Sequence, residues 1–435
     1  MKNKIISIIG TALLFTGSVS AQVLPIPAVK QSEPIVLSGA TIHTGTGEVI
    51  ENGVIAFNNG TITAIGEAGQ VTLPGDAKRV DVSGKHIYPG LILMNSNLGL
   101  SEIGSVDMTH DSQEHGEINP GVRTLVAYNT DSHVIPVVRA NGILLAQVAP
   151  SGGLLSGTSS VMQLDAWNWE DAAYDIDNGI HLNWPRISAR RGRSRQYAMF
   201  MGGGRAPNFD KSYKELDQFF SEASAYAELT HPERTNLRFE AMKGLFSGEK
   251  TLYINVTEAK GIITSVNFSK DHGIKKIVLV GVGEDALLVK DIIKENNIPV
   301  ILGNIFSMPS YEHSDTRLPF KMAKIFNDEG ILTGITYSSS STAYNLPFAA
   351  GQAVAYGLPK EDALRMVTLN NATILGIEDR TGSLETGKDA NIIVSTGDIL
   401  DMMTNHIELA YINGRSIDLD NKFKMLYDRF QEKYK

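Results

Sequence analysis

Two amides stand where an apolar run of this chain ends. The stretch Ile87-Tyr88-Pro89-Gly90-Leu91-Ile92-Leu93-Met94 has strand texture after its Pro-Gly break, and it delivers Asn95 and Asn97 to its far end. Residues two apart on a strand share a face, so both amides project together into whatever lies at the strand's mouth. Amides donate and accept hydrogen bonds to a polar ligand. They bind first-row divalent metals far more weakly than imidazole or carboxylate does.

Other groups could also do chemistry. The polar excursion from Leu98 to Pro120 holds His110, Asp111, Glu114 and His115, with His133 further on. At that spacing His110, Glu114 and His115 could share a helix face and hold a relocated metal. A solvated polar loop is the plainer reading and the preferred one. Gly281-Val282-Gly283-Glu284-Asp285-Ala286 follows a strand and precedes a helix, as a dinucleotide fingerprint does. The acid expected at the end of the next strand is missing, so the segment reads as a βα turn whose glycines leave space for a ligand. Gly152-Gly153, Ser156 to Ser160 and Ser338 to Thr342 could offer N–H groups to an anion, but turn and cap roles suit them better. A serine nucleophile needs an adjacent base, and no particular histidine is indicated. Arg190, Arg191, Arg193 and Arg195 read as a solvated charge run, or else as a clamp for an anionic group. Trp167, Trp169 and Trp184 suit core packing; at a barrel mouth they would suit a planar or sugar-like ligand.

The elements that must position these groups come in two textures. Short β-type runs lie at Ile35 to Leu37, Val54 to Phe57, Thr61 to Ile65 and Arg79 to Val82, with Asn59-Gly60 as a two-residue hairpin turn. They predict a small antiparallel sheet. From Lys211 the pattern becomes strand and helix in alternation. Strands are predicted at Thr251 to Val256, Lys276 to Val280, Pro299 to Leu302 and Ile331 to Ile335, with helices between them. Repeated βα units imply a parallel sheet with right-handed crossovers. With strands at Ile92 and Ile143 upstream, a closed (β/α)8 barrel accounts for the count. Its third and fourth strands cannot be placed from the pattern. Helices are expected over Leu346 to Gly357, Lys360 to Leu375 and Asn421 to Lys435. Strand texture returns over Thr381 to Val394 and Leu409 to Ile412, which suits completion of the first sheet.

Composition limits the function classes. The 435 residues are 42% hydrophobic and 20% charged, with a formal charge of −9 that argues against nucleic acid as a partner. No cysteine occurs, so there is no disulfide and no thiolate zinc site. Lys2 and Lys4, the apolar run Ile5 to Phe15 and Val19-Ser20-Ala21 read as a signal peptide cleaved near Ala21-Gln22. A periplasmic or secreted location is the expectation, with no membrane span.

Pro89-Gly90 through Asn97 resembles the entry strand of the amidohydrolase superfamily, whose Pro-Gly-Phe-Ile-Asp-x-His-x-His carries metal-binding histidines where Asn95 and Asn97 stand. Ser83-Gly84-Lys85-His86-Ile87-Tyr88, Asn370-Asn371-Ala372 and Gly382-Ser383-Leu384-Glu385-Thr386-Gly387-Lys388-Asp389-Ala390 carry the same likeness, which is greatest to the imidazolonepropionase-related hydrolases. The resemblance implies an α/β fold, a (β/α)8 TIM-type barrel with a discontinuous small β-sandwich domain built from both chain ends. The boundaries expected are a signal peptide at 1–21, an extended lead-in at 22–33 and the small β domain at 34–88 and 381–418. The barrel then takes 89–380 and a C-terminal helix 419–435. It also implies a hydrolase acting on non-peptide C–N bonds, cyclic amides among the candidates, through zinc or another divalent metal. The ligand-equivalent positions are Asn95, Asn97, Thr257 with Glu258 beside it, Gly281, and Tyr337 or Ser338. These are expected to line a ligand pocket at the barrel top. The metal ligands are missing from them, so no cofactor is expected and zinc-hydroxide chemistry is doubtful. The implied partner is a small-molecule ligand or substrate. A homodimer, or a non-catalytic subunit paired with a metal-competent paralogue, is the alternative.

Overall fold

The computed structural model describes residues 26–102, 106–187, 209–303, 305–337 and 339–435. The signal-peptide segment, the four arginines from Arg190 to Arg195 and Ser338 lie outside them.

Five strands open the fold: β1 (Ile35–His43), β2 (Val49–Asn58), β3 (Thr61–Glu67), β4 (Lys78–Asp81) and β5 (His86–Pro89). Asn58 pairs with Thr61 across the β2–β3 turn. Asn59 and Gly60 sit at φ 48° and 84°, the left-handed pair that a tight hairpin of this twist requires. β1 pairs antiparallel with β2 but parallel with both β4 and β5, so the sheet is mixed where the sequence pattern suggested purely antiparallel pairing. Residues 68–77 ahead of β4 let the chain return in the same direction, and the short segment 82–85 then carries it on along β1 into β5.

Eight strands then form the second sheet, in chain order from one edge to the other. They are β6 (Leu91–Ser96), β7 (Ile143–Val148), β8 (Leu155–Gln163), β9 (Ala173–Asn183), β10 (Thr251–Asn255), β11 (Ile277–Val282), β12 (Val300–Leu302) and β13 (Thr333–Ile335). This is a nearly closed barrel of the TIM type. β8 is the exception to its parallel run, because it lies antiparallel to β7 and β9. The connections on either side of β8, residues 149–154 and 164–172, are shorter than the dozen or so residues a parallel crossover needs. The unplaced third and fourth strands are therefore a meander rather than βα units. Ile92, Met94, Leu145, Tyr253, Val280 and Ile301 fill the interior. The outer faces of the strands pack on helices such as Phe209–Ala227 and Ala259–Asp271, where Trp184, Tyr213 and Phe268 meet edge to face. Trp184 is core. Trp167, by contrast, is 65% exposed.

The last strands, β14 (Ile392–Ser395), β15 (Ile407–Ile412) and β16 (Arg415–Ser416), extend the first sheet through β14 pairing with β5. The result is a single hydrogen-bonded sheet of eight strands. Helix Lys422–Tyr434 follows, its first turn capped by the Asn421 side chain, and it buries none of its residues.

The barrel closes through the segment after β13. Ile92 N–H donates to Val367 O at 2.9 Å and Ile335 N–H to Met366 O at 3.0 Å. The buried Asn371 amide then donates to Ile92 O at 2.8 Å and Ile335 O at 3.2 Å, linking β6 to β13. This use of Met366 to Thr368 explains why the predicted helix over Lys360 to Leu375 is two helices, Lys360–Arg365 and Leu369–Leu375. Asn371→Ala leaves two strand carbonyls buried without donors, at roughly 1–3 kcal/mol per group. We expect a loss of about 2–4 kcal/mol in urea unfolding; a loss within error of zero would remove this closure role.

Candidate functional site

The C-terminal ends of β6, β10, β11 and β13 carry the positions singled out above. Asn95 has φ 48°, a left-handed conformation that asparagine tolerates better than most residues. Its backbone N–H donates to the buried Gln147 side chain at 3.1 Å. Asn97 Oδ1 accepts from the Ser340 N–H at 3.2 Å, which ties β6 to the loop beyond β13, and the Thr336 hydroxyl donates to Met94 O beside it. Both amides are half-buried. Tyr337 is partly buried, its ring 6.4 Å from that of Phe306.

Across the mouth lies a cleft of about 280 Å³ lined by Asn183, Arg186, Asn255, Thr257, Glu258 and Gly281, among others. The structure thus gathers Thr257, Glu258 and Gly281, and it leaves Asn95, Asn97 and Tyr337 outside this cleft on the β6–β13 side. One Glu258 carboxylate oxygen accepts from Ile187 N–H at 3.0 Å. Asp285 accepts from the Ala259 N–H at 3.1 Å and from the Tyr311 hydroxyl at 2.6 Å, bracing the start of helix Ala259–Asp271. That phenolic hydrogen bond to a carboxylate raises the Tyr311 pKa.

Asn183 and Asn255 are the cleft residues that sequence reading missed. They are register partners at the ends of β9 and β10. Asn183 donates to Gly152 O, Gly153 O and Ser156 Oγ at 3.3, 2.9 and 3.0 Å. The Gly/Ser-rich loop is therefore a cradle for one amide among these contacts, not an observed anion seat. The signal was available at Asn255: it stands two residues beyond Tyr253, whose ring fills the barrel, so strand periodicity puts it on the same face.

One layer below, His181 pairs with Tyr253 in register and stacks on its ring at 4.9 Å. Both imidazole nitrogens are buried and without a hydrogen-bond partner. Burial pushes the His181 pKa down to about 3, because the charged form has lost its water. The unfolded chain, with histidine near 6.5, binds the extra proton between these values, so this contribution to stability is complete at high pH and is lost as pH falls below about 6.5. Between pH 8 and 5 the wild type should lose about 2 kcal/mol more than His181→Phe. Parallel urea titrations at the two pH values measure the difference, and equal slopes would contradict it.

His110 is half-buried in a bridge to Ser101, whereas Glu114 and His115 are exposed, with Glu114 accepting from the His115 N–H at 2.8 Å. Among the described residues no three histidines, aspartates or glutamates come together in an arrangement able to hold a metal ion.

Residues 327–417 match the amidohydrolase family profile. The amidohydrolase tasK of Hapsidospora irregularis is 22% identical over 424 residues, covering 91% of this chain and 41% of that protein. An imidazolonepropionase of Thermoplasma volcanium is 40% identical over 75 residues, which cover 17% of this chain and 19% of the relative. The chain thus spans less than half the length of either curated relative. Among solved structures, an amidohydrolase from Thermotoga maritima superimposes with a TM-score of 0.75 at 22% identity, covering 88% of this chain and 99% of its own. A molinate hydrolase has a TM-score of 0.54 at 15% identity, with 90% and 96% covered. The fold is that of these solved hydrolases. Residues 327–417 carry the amidohydrolase family's sequence pattern.

Proposed function

We propose that this chain is an amidohydrolase-family protein that takes a small neutral polar ligand of the amide type at its barrel mouth. In this reading the metal-bound hydroxide of the family's usual mechanism is absent. The observation that carries it is the donor set. Amide, amide, hydroxyl and a bare backbone stand at Asn95, Asn97, Thr257 and Gly281, and the one carboxylate beside them, Glu258, accepts from Ile187 N–H. Zinc-type sites take imidazole, thiolate or carboxylate ligands, and lowering the pKa of water to about 7 needs such a centre. These residues do not fit a zinc-type ion. The cleft instead offers Asn255 and Thr257, groups matched to an amide's own donor and acceptor. Hydrolysis of a non-peptide C–N bond is the family's activity, and this chain retains the binding half of it. The basic, apolar and small-residue pattern of residues 1–21 supports export.

Elemental analysis of protein purified without chelators, beside a thermal-shift screen of cyclic amides, tests this reading. We expect no stoichiometric divalent metal and a metal-independent rise in Tm with at least one cyclic amide. One tightly held transition metal per chain, lost in Asn95→Ala with Asn97→Ala, overturns it. Export predicts that the mature protein begins at Gln22, which N-terminal sequencing reads directly; a periplasm-free protein beginning at Met1 removes it.

A further inference from the structure

We propose that the barrel mouth has a second, apolar lobe that takes a compact uncharged side chain of the ligand, kept open by Gly283 and Gly303. This rests on the reading that the polar cleft beside it takes the amide head.

The lobe is a cavity of about 130 Å³ at the ends of β11 and β12, walled by Leu302, Ile305, Leu318 and Met322, with Met308 at its rim. Gly281 lines both this cavity and the polar cleft, so the two meet at one backbone position. Three glycines, Gly281, Gly283 and Gly303, line the lobe, and only one of them needs to be glycine for its backbone. Gly281 has φ 69°, where a side chain is strained. Gly283 has φ −119° and ψ −158°, extended backbone open to any residue. A Cβ at Gly283 would meet nothing within 4 Å, and one at Gly303 would touch only Gly281 Cα at 3.6 Å, an ordinary contact. Neither conformation nor packing calls for glycine at 283 or 303. What glycine preserves at both is empty volume.

The walls state what can fill it. Glu284, the charged group at the rim, already accepts from Ser310 N–H at 3.0 Å and from the Ser314 hydroxyl. Its carboxylate holds the loop over the cavity rather than offering a free charge to a ligand. Ser307 and Ser310 lie on its loop side, and the remaining side chains of the wall are aliphatic, prolyl and thioether; methionine adapts to the shape it meets. An apolar cavity of about 150 Å³ accommodates benzene, so this one sets its limit near a phenyl ring or a branched aliphatic group. Together the two lobes have the size and the mixture of apolar wall and few polar groups typical of small-molecule sites. The ligand inferred is a small amide with one compact hydrophobic substituent.

The test uses the full chain, two matched probes and fluorobenzene. Calorimetry compares the N-acetyl amides of glycine and leucine, and fluorine NMR follows fluorobenzene. The leucine amide should bind the wild type about tenfold or more tighter than the glycine amide, as burial of such a side chain requires. Gly283→Leu should bring the leucine amide down to the level of the glycine amide and abolish fluorobenzene binding. If Gly283→Leu does not fold, Gly303→Val is read in the same way. Equal affinities of the two amides for the wild type overturn the proposal, and so does fluorobenzene binding that is absent or survives both substitutions. If fluorobenzene binds the wild type alone and neither amide binds, the lobe stands and the amide reading of the neighbouring cleft falls.

Discussion

The barrel of this protein depends on a side chain reaching across a gap that no strand ladder fills. β6 and β13 are the two ends of the second sheet. Asn371 carries one amide nitrogen to a carbonyl of each, and the Met366–Val367 backbone accepts an N–H from each. Every barrel must satisfy its edge donors and acceptors or expose them. Here a short polypeptide segment serves as the closing piece, and it comes from the part of the chain that carries the family's sequence pattern. The mouth is built on this closure: Asn97, Thr336 and Ser340 sit just above it and bond across the same gap.

The mouth itself is divided. On the seam side Asn95 and Asn97 are drawn into the protein's own hydrogen bonds, Asn95 through its backbone and Asn97 through its side chain. The open space lies on the far side, at the ends of β9 to β12. Of the positions on which the family resemblance falls, those after β10 and in β11 border this room and those after β6 do not. The amide chain from Asn95 N–H through Gln147 and Ser159 to Asn178 fills the interior between them. Below the cleft, neutral His181 against Tyr253 keeps that layer uncharged.

Much of this was legible in the residues because local chemistry and global fold agree there. Asn59-Gly60 can do little but turn a hairpin, and the apolar runs after Lys211 alternate at helix and strand periods that tertiary packing had no reason to override. The meander of β8 and β9 was not legible. β8 is rich in glycine and serine, types depleted or neutral in strands, and buried on both faces, while β9 carries aspartate and asparagine along a partly exposed first half, so neither shows a clean alternation. The split of Lys360 to Leu375 into two helices was hidden for another reason: Met366 to Thr368 leave the helix to meet partners about 30 and 270 residues away. For the cleft, reading Val256 as the end of β10 moved attention to Thr257 and past Asn255, an offset of two that register with β9 makes plain. His181 gave no signal at all, since a lone histidine in an apolar run looks the same whether it faces solvent or a barrel's interior.

The pairing of β5 with β14 joins residues whose codons lie some 300 apart. On a ribosome adding about 5–20 residues per second, that interval is on the order of 15–60 s. Through all of it the β5 edge stands without its neighbour, while the barrel, which cannot seal before Asn371 emerges, is still a ribbon. Both halves of the molecule therefore reach completion almost together, once Asn371 and β14 have emerged. Until then the nascent chain carries two open β-edges, the state in which strand-to-strand capture by another molecule is easiest.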